Sequence, residues 1–186
     1  MERREFLVLG LALTGGLAAC GRQDAGSAAP SAAPAAAPAS VTVLDAAARA
    51  ALDVLGEALV PGAAAAGFSA WLESQLAARP GEGMLMLRYL GVPPPWQNFY
   101  LPALQAAEAW SSERFGRGIA ALAPTEAAEL VADIASGKPA SWNAAPAPFF
   151  YFVLRADALD VAYGTRAGFA CLDIPYIAHI APTKDW

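Results

Sequence analysis

The segment Ala147 to Tyr163, APFFYFVLRADALDVAY, is apolar on nearly every side, and this restricts what the rest of the chain can be. Phe149, Phe152, Val153, Ala156, Leu159 and Tyr163 recur at spacings that share one side of a helix, while Phe150, Leu154 and Val161 load the other. A helix of this kind has to be covered all round, so it predicts a central element on which other helices, a tail or a partner must pack. The stretch from Pro148 to Trp186 holds eight of the eighteen aromatic residues. Beyond Gly164 the periodicity breaks at Gly168, Pro175 and Pro182, with Tyr176, His179 and Trp186 among them, which predicts an extended tail pressed on a surface.

Upstream the helical pattern repeats. Thr42 and Asp45 have the spacing of a capping box, and Leu44, Ala48, Leu52, Leu55 and Leu59 follow at helical intervals up to Pro61-Gly62. A second helix takes in Phe68, Trp71, Leu72 and Leu76 and stops before Pro80-Gly81; a third, short one runs from Met84 to Leu90. Three prolines in Gly91 to Trp96 exclude a central strand and predict a rigid turn. Phe99 to Phe115 reads as a helix with Leu101, Leu104, Ala107 and Trp110 inward. Pro124 opens another, with Ala127, Leu130, Val131 and Ile134 inward and Gly137 just past its end. No pair of segments alternates with a period of two, so the fold class is all-α, a bundle of about six helices over residues 41–186.

The N-terminal residues read as targeting sequence rather than fold. Arg3-Arg4-Glu5-Phe6-Leu7 opens an apolar run that continues to Ala19 without another charge, too short for a comfortable membrane span. Arg3, Arg4, Phe6 and Leu7 match a twin-arginine export signal, with an ordinary secretory signal as the alternative. Leu17-Ala18-Ala19-Cys20 has the form of a lipobox, in which Cys20 is acylated; the alternative is a peptidase site with an incidental cysteine. Each buried methylene of an acyl chain contributes about 0.8 kcal/mol, so several chains on one residue give durable anchoring. Residues 20–40 are then the lipidated cysteine and an Ala/Pro-rich linker, too poor in bulky apolar side chains to offset the entropy of ordering. The expected place is the periplasmic side of the envelope, held to the membrane through Cys20.

Little catalytic chemistry is legible. The net charge of −5 leaves no basic stripe for nucleic acid. With one histidine, any nucleophile–base pair must use His179, and Cys171 with His179 reads as a buried thiol and a hydrogen-bonded imidazole in a packed tail. One cysteine and one histidine do not close a zinc site, and Gly116-Arg117-Gly118 lacks the third glycine of a dinucleotide loop. Asp157 and Asp160 stand one turn apart as an acid–base pair would, yet Arg155 and Arg166 nearby favour ion-paired structural carboxylates. Tyr163 and Trp186 suit sugar stacking or protein packing, and packing is the reading adopted. No catalytic, metal-binding or cofactor-binding residue is therefore assigned. What remains is an aromatic, proline-bearing surface of the composition that suits a protein interface.

Several of these residues also stand in a familiar order. Leu59-Val60-Pro61-Gly62 through Gly67-Phe68, then Phe115-Gly116 and Leu122 ahead of Pro124, then Phe149-Phe150, Leu154-Arg155, Tyr163-Gly164 and Pro175-Tyr176, resemble the small third subunit of gluconate 2-dehydrogenase over most of Leu44 to Trp186. The chain departs from that family at Asp160-Val161-Ala162-Tyr163-Gly164-Thr165, where members often carry Tyr-Gly-Gly-Asn after a Gly-Tyr, and in its lipobox. The resemblance implies an all-helical periplasmic protein with a twin-arginine signal, bound to a large FAD-containing subunit of the glucose-methanol-choline type and often to a cytochrome c carrying haem. It implies that the small subunit carries its signal-less partner across the membrane and steadies it, without catalysing the reaction. The surface expected to meet that partner takes in Phe149, Phe150, Arg155, Tyr163, Gly164, Pro175, Tyr176, His179 and Trp186. The competing expectation is a free-standing envelope lipoprotein that serves as a binding or scaffold module.

Overall fold

The computed structural model describes residues 42–175. Arg3, Arg4, Phe6, Leu7, Cys20 and the linker lie outside the described residues, as do Tyr176, His179 and Trp186. Seven α-helices and one 3-10 turn follow in order: α1 (Ala46–Leu59), α2 (Phe68–Ala77), α3 (Met86–Tyr89), α4 (Gln97–Phe115), the turn Ile119–Ala121, α5 (Pro124–Ser136), α6 (Ala147–Tyr163) and α7 (Arg166–Cys171). Among the described residues there is no strand.

Local chemistry sets most of the boundaries. Asp45 caps α1, its Oδ1 accepting from the Ala48 amide at 2.7 Å. Thr42 therefore does not cap α1, because it stands three residues too early to reach the first turn. At the other end the Glu57 carboxylate accepts from the amides of Gly62 and Ala64 and closes the connection to α2. Gly56 lets the fully buried Phe68 ring lie against α1, since a Cβ there would stand 2.6 Å from the ring. For α5, Pro124 occupies the first turn, the Glu126 carboxylate accepts from the Ala123 amide, and Gly137 ends the helix at φ 70°. These are the positions at which a missing N–H and a left-handed residue cost least.

The register of α4 differs from expectation. Tyr100, Ala103, Leu104, Ala107 and Ser111 are buried, whereas Leu101 and Trp110 are only half-buried. Trp110 is held at the margin because its indole N–H donates to Asp133 of α5 at 3.2 Å. Asp133 is itself buried and ion-paired with Arg114 and Lys138, so a polar cluster rather than an apolar seam ties α4 to α5 here.

At the middle is α6, which packs against every other α-helix of the domain. Its buried residues are Ala147, Phe150, Val153, Leu154, Asp157, Ala158 and Val161. Phe150 meets Phe99 at 6.2 Å and Trp142 at 5.8 Å between ring centroids. Each aliphatic or aromatic side chain so buried contributes about 1.5–3 kcal/mol of transfer free energy. The extended tail expected from Gly164 gives way to α7, capped by Thr165, whose hydroxyl accepts from the Gly168 amide at 3.0 Å.

Candidate functional site

The two sides of α6 have different fates. The side carrying Phe150, Leu154 and Val161 is core, and Val153 turns inward with it. On the opposite side Phe149, Ala156, Leu159 and Tyr163 are half-buried and Phe152 is 49% exposed. Among the described residues, then, this helix is not covered all round: an apolar strip runs along its outer face from Phe149 to Tyr163. Arg155 and Asp160 are exposed beside it, giving the strip charged margins of opposite sign.

At its C-terminal end the strip meets α7. Gly168 sits on the backbone of Tyr163, where a Cβ would come within 2.4 Å of the Tyr163 Cα, so only glycine allows α7 to lie this close. Leu172 and Ile174, just beyond α7, are each 50% exposed and add apolar area at the chain's exit. Cys171 is exposed, contrary to the buried thiol expected, because it lies at the last position of a six-residue helix that covers little surface.

The residues expected on the partner surface therefore sort as follows. Phe150 is a correction: at 1% exposure, between Phe99 and Trp142, it has no area to offer. Phe149 and Tyr163 lie half-buried on the outer strip, and Arg155, Gly164 and Pro175 are exposed. Tyr176, His179 and Trp186 lie outside the described residues. Sequence reasoning placed Phe152 on the right side of the helix and then took it as covered; periodicity gives a side chain's direction but not what stands opposite.

Two other places were weighed. A recess of about 200 Å³ is lined by Gln75, Pro80, Pro94, Pro95, Trp96 and Gln97 among others. Its amides are already spent on the fold, Gln97 donating to the Leu76 carbonyl at 2.5 Å and Gln75 accepting from the Met84 amide at 2.8 Å. Asp157, offered from sequence as an ion-paired carboxylate, is a second correction: it is fully buried, with the Tyr100 hydroxyl and the Met86 amide as its partners in place of Arg155 or Arg166. Its position at the centre of a buried face puts it out of reach of solvent-facing arginines. Among the described residues no three His, Cys, Asp or Glu side chains stand close enough to hold a metal ion.

Residues 46–174, nearly all of the described domain, match the sequence profile of gluconate 2-dehydrogenase subunit 3. No curated protein and no solved structure matches the chain. The match begins at the first residue of α1 and ends just past α7, so it takes in the hub helix, its outer strip and the glycine contact that seats α7. By that match the chain belongs to the gluconate 2-dehydrogenase subunit 3 family.

Proposed function

We propose that this chain is the non-catalytic small subunit of a membrane-associated, flavin-dependent sugar or alcohol dehydrogenase. In this reading it carries the export signal for a large catalytic subunit of the glucose-methanol-choline type, stabilises that subunit after export, and holds the complex to the envelope through lipidated Cys20. The FAD of the complex belongs to the large subunit, and a cytochrome c carrying haem is a further candidate member. The observation that supports this is the outer strip of α6, exposed apolar area on the central helix of a domain whose family is a dehydrogenase subunit. An apolar strip with charged margins has the anatomy of an interface, an apolar centre inside a polar rim.

The test is affinity purification through this chain from membranes of cells that also express the large subunit. The expected product is a stoichiometric second protein with a flavin absorption spectrum. A monodisperse, flavin-free chain would instead support the stand-alone lipoprotein. For export, Arg3→Lys combined with Arg4→Lys should strand both subunits in the cytoplasm, and continued secretion of both would reject the twin-arginine route.

A further inference from the structure

Asp157 lies on the inner side of α6, away from the outer strip, with no exposed surface. Its Oδ1 accepts from the amide of Met86, the first residue of α3, at 2.7 Å, and its Oδ2 accepts from the hydroxyl of Tyr100 on α4. One carboxyl thus joins three helices. Leu85, the residue before α3, offers no side-chain cap, so Asp157 supplies that acceptor from 71 residues away.

Of the elements it joins, α3 is the least secured. It has four residues, held inward by the buried Leu85 and Leu87, while Met84, Tyr89 and Leu90 are 49%, 63% and 44% exposed. A short surface helix of this kind opens at lower cost than α4 or α6, which form the middle of the domain.

The charged surroundings of Asp157 are sparse. The groups bearing on it are the Tyr100 phenol from α4, the Met86 amide from α3 and Asp160, one turn along its own helix. It enters none of the ion pairs between described residues. On the neighbouring elements Arg49 of α1 pairs with Glu73 of α2, Glu129 and Asp133 of α5 pair with Arg114, Glu126 of α5 pairs with Arg117, and Glu57 of α1 caps a loop. Arg88 of α3 turns back to the Gly83 carbonyl.

We propose that Asp157 is a protonation-dependent fastener for the α3 segment: while it keeps its proton it holds Met84–Leu90 against α6, and where ionisation is favoured the segment opens to let water reach the carboxylate. This inference does not depend on the assembly proposed above. Burial pushes the closed-state carboxyl up to about 7, against the Tyr100 and Met86 hydrogen bonds, which favour the charged form; the like charge of Asp160 adds to the rise. Burial and the neighbouring carboxyl push the Tyr100 phenol up as well, so it remains a donor throughout.

The sign follows from linkage. A hydrated Asp157 has its ordinary value of 3.8, so the preference for the closed form is complete below that pH and is lost as pH rises to about 7. Across this window the opening equilibrium of α3 rises by about tenfold per pH unit, and above it no further rise follows.

Hydrogen exchange of the full chain, followed by mass spectrometry and corrected for the intrinsic pH dependence of exchange, reads this directly. Peptides spanning Met84–Leu90 should open about tenfold more per pH unit from about 4.5 to 7, while peptides from α4 and α5 keep their protection. In Asp157→Asn, whose amide still accepts from Met86 and donates to Tyr100, the opening of Met84–Leu90 should not depend on pH. A pH-independent wild-type segment, opening that spreads equally to α4 and α5, or pH dependence retained in Asp157→Asn would each overturn the proposal. Should Asp157→Asn fail to fold, Tyr100→Phe carries the test. Removing the phenol donor leaves the carboxylate less supported, so the window should extend to higher pH, and an unshifted window would overturn the proposal.

Discussion

Phe150 and Phe152 stand two residues apart on α6 and point to opposite sides, which makes them a matched pair for separating core from interface. Phe150 is 1% exposed and packs between Phe99 and Trp142. Truncating such a ring removes its transfer free energy and leaves a cavity that its neighbours close only in part, so Phe150→Ala should cost about 3–5 kcal/mol. In a domain of this length each kcal/mol moves Tm by about 2–4 °C, giving a fall of roughly 10 °C. Phe152 is 49% exposed; its truncation leaves no enclosed cavity, and the loss should stay below about 1 kcal/mol. The assay is a thermal melt of the chain by circular dichroism, alongside capture of the large subunit by tagged wild-type and variant chains. Phe152→Ala should keep its Tm and weaken capture, since exposed aromatics at the centre of an interface are the side chains that carry binding energy. Phe150→Ala should lower Tm first and affect capture only near its melting point. Reasoning from the two sides of α6 fails if Phe152→Ala melts like Phe150→Ala, or if it captures the partner as well as wild type does.

Three further outcomes follow from individual contacts. Gly168→Ala places a methyl group against the Tyr163 backbone and should cost about 1–3 kcal/mol of local stability, seen as faster proteolysis within residues 166–174 with the melting of the rest of the domain little changed. Arg114→Met removes one of the two cations paired with the buried Asp133 and should destabilise by about 2–4 kcal/mol in a thermal melt; adding Asp133→Asn should recover part of that loss by removing the uncompensated charge. Deleting Ile174 to Trp186 should release the large subunit while sparing most of the helical signal; collapse of circular dichroism would place that segment in the core instead.

What the sequence disclosed, and what it withheld, follows from which residues carry a local signal. The limits of α5 were legible because Pro124 and Gly137 act within their own turns, and its inward set, Ala127, Leu130, Val131 and Ile134, was legible because its other face is polar. In α4 the apolar residues do not fall on one side, so nothing local placed Tyr100 inward and Leu101 at the margin. Glycine and the coming proline hid α7, whose cap at Thr165 is a local signal that was passed over. Asp157 could not be read at all, since a carboxylate among arginines looks exposed until residues 57 and 71 positions away are brought to it.

The ambiguity of α6 is of another kind, and it bears on function. Seven of its seventeen residues are buried by the domain, and a helix serving only this fold would be free to place polar side chains on the rest, where they cost nothing in packing and limit aggregation. Instead Phe149, Phe152, Leu159 and Tyr163 continue the apolar surface onto the outer face, with Leu172 and Ile174 beyond its end. Leaving a large aromatic ring half in water forgoes part of the roughly 25 cal/mol per Å² that burial would supply. Sequence periodicity found no clear phase because the helix has two apolar faces, of which the fold consumes one. The outer face is therefore where a partner would recover the forgone burial, and it is the face on which Phe152→Ala and Phe150→Ala must part company.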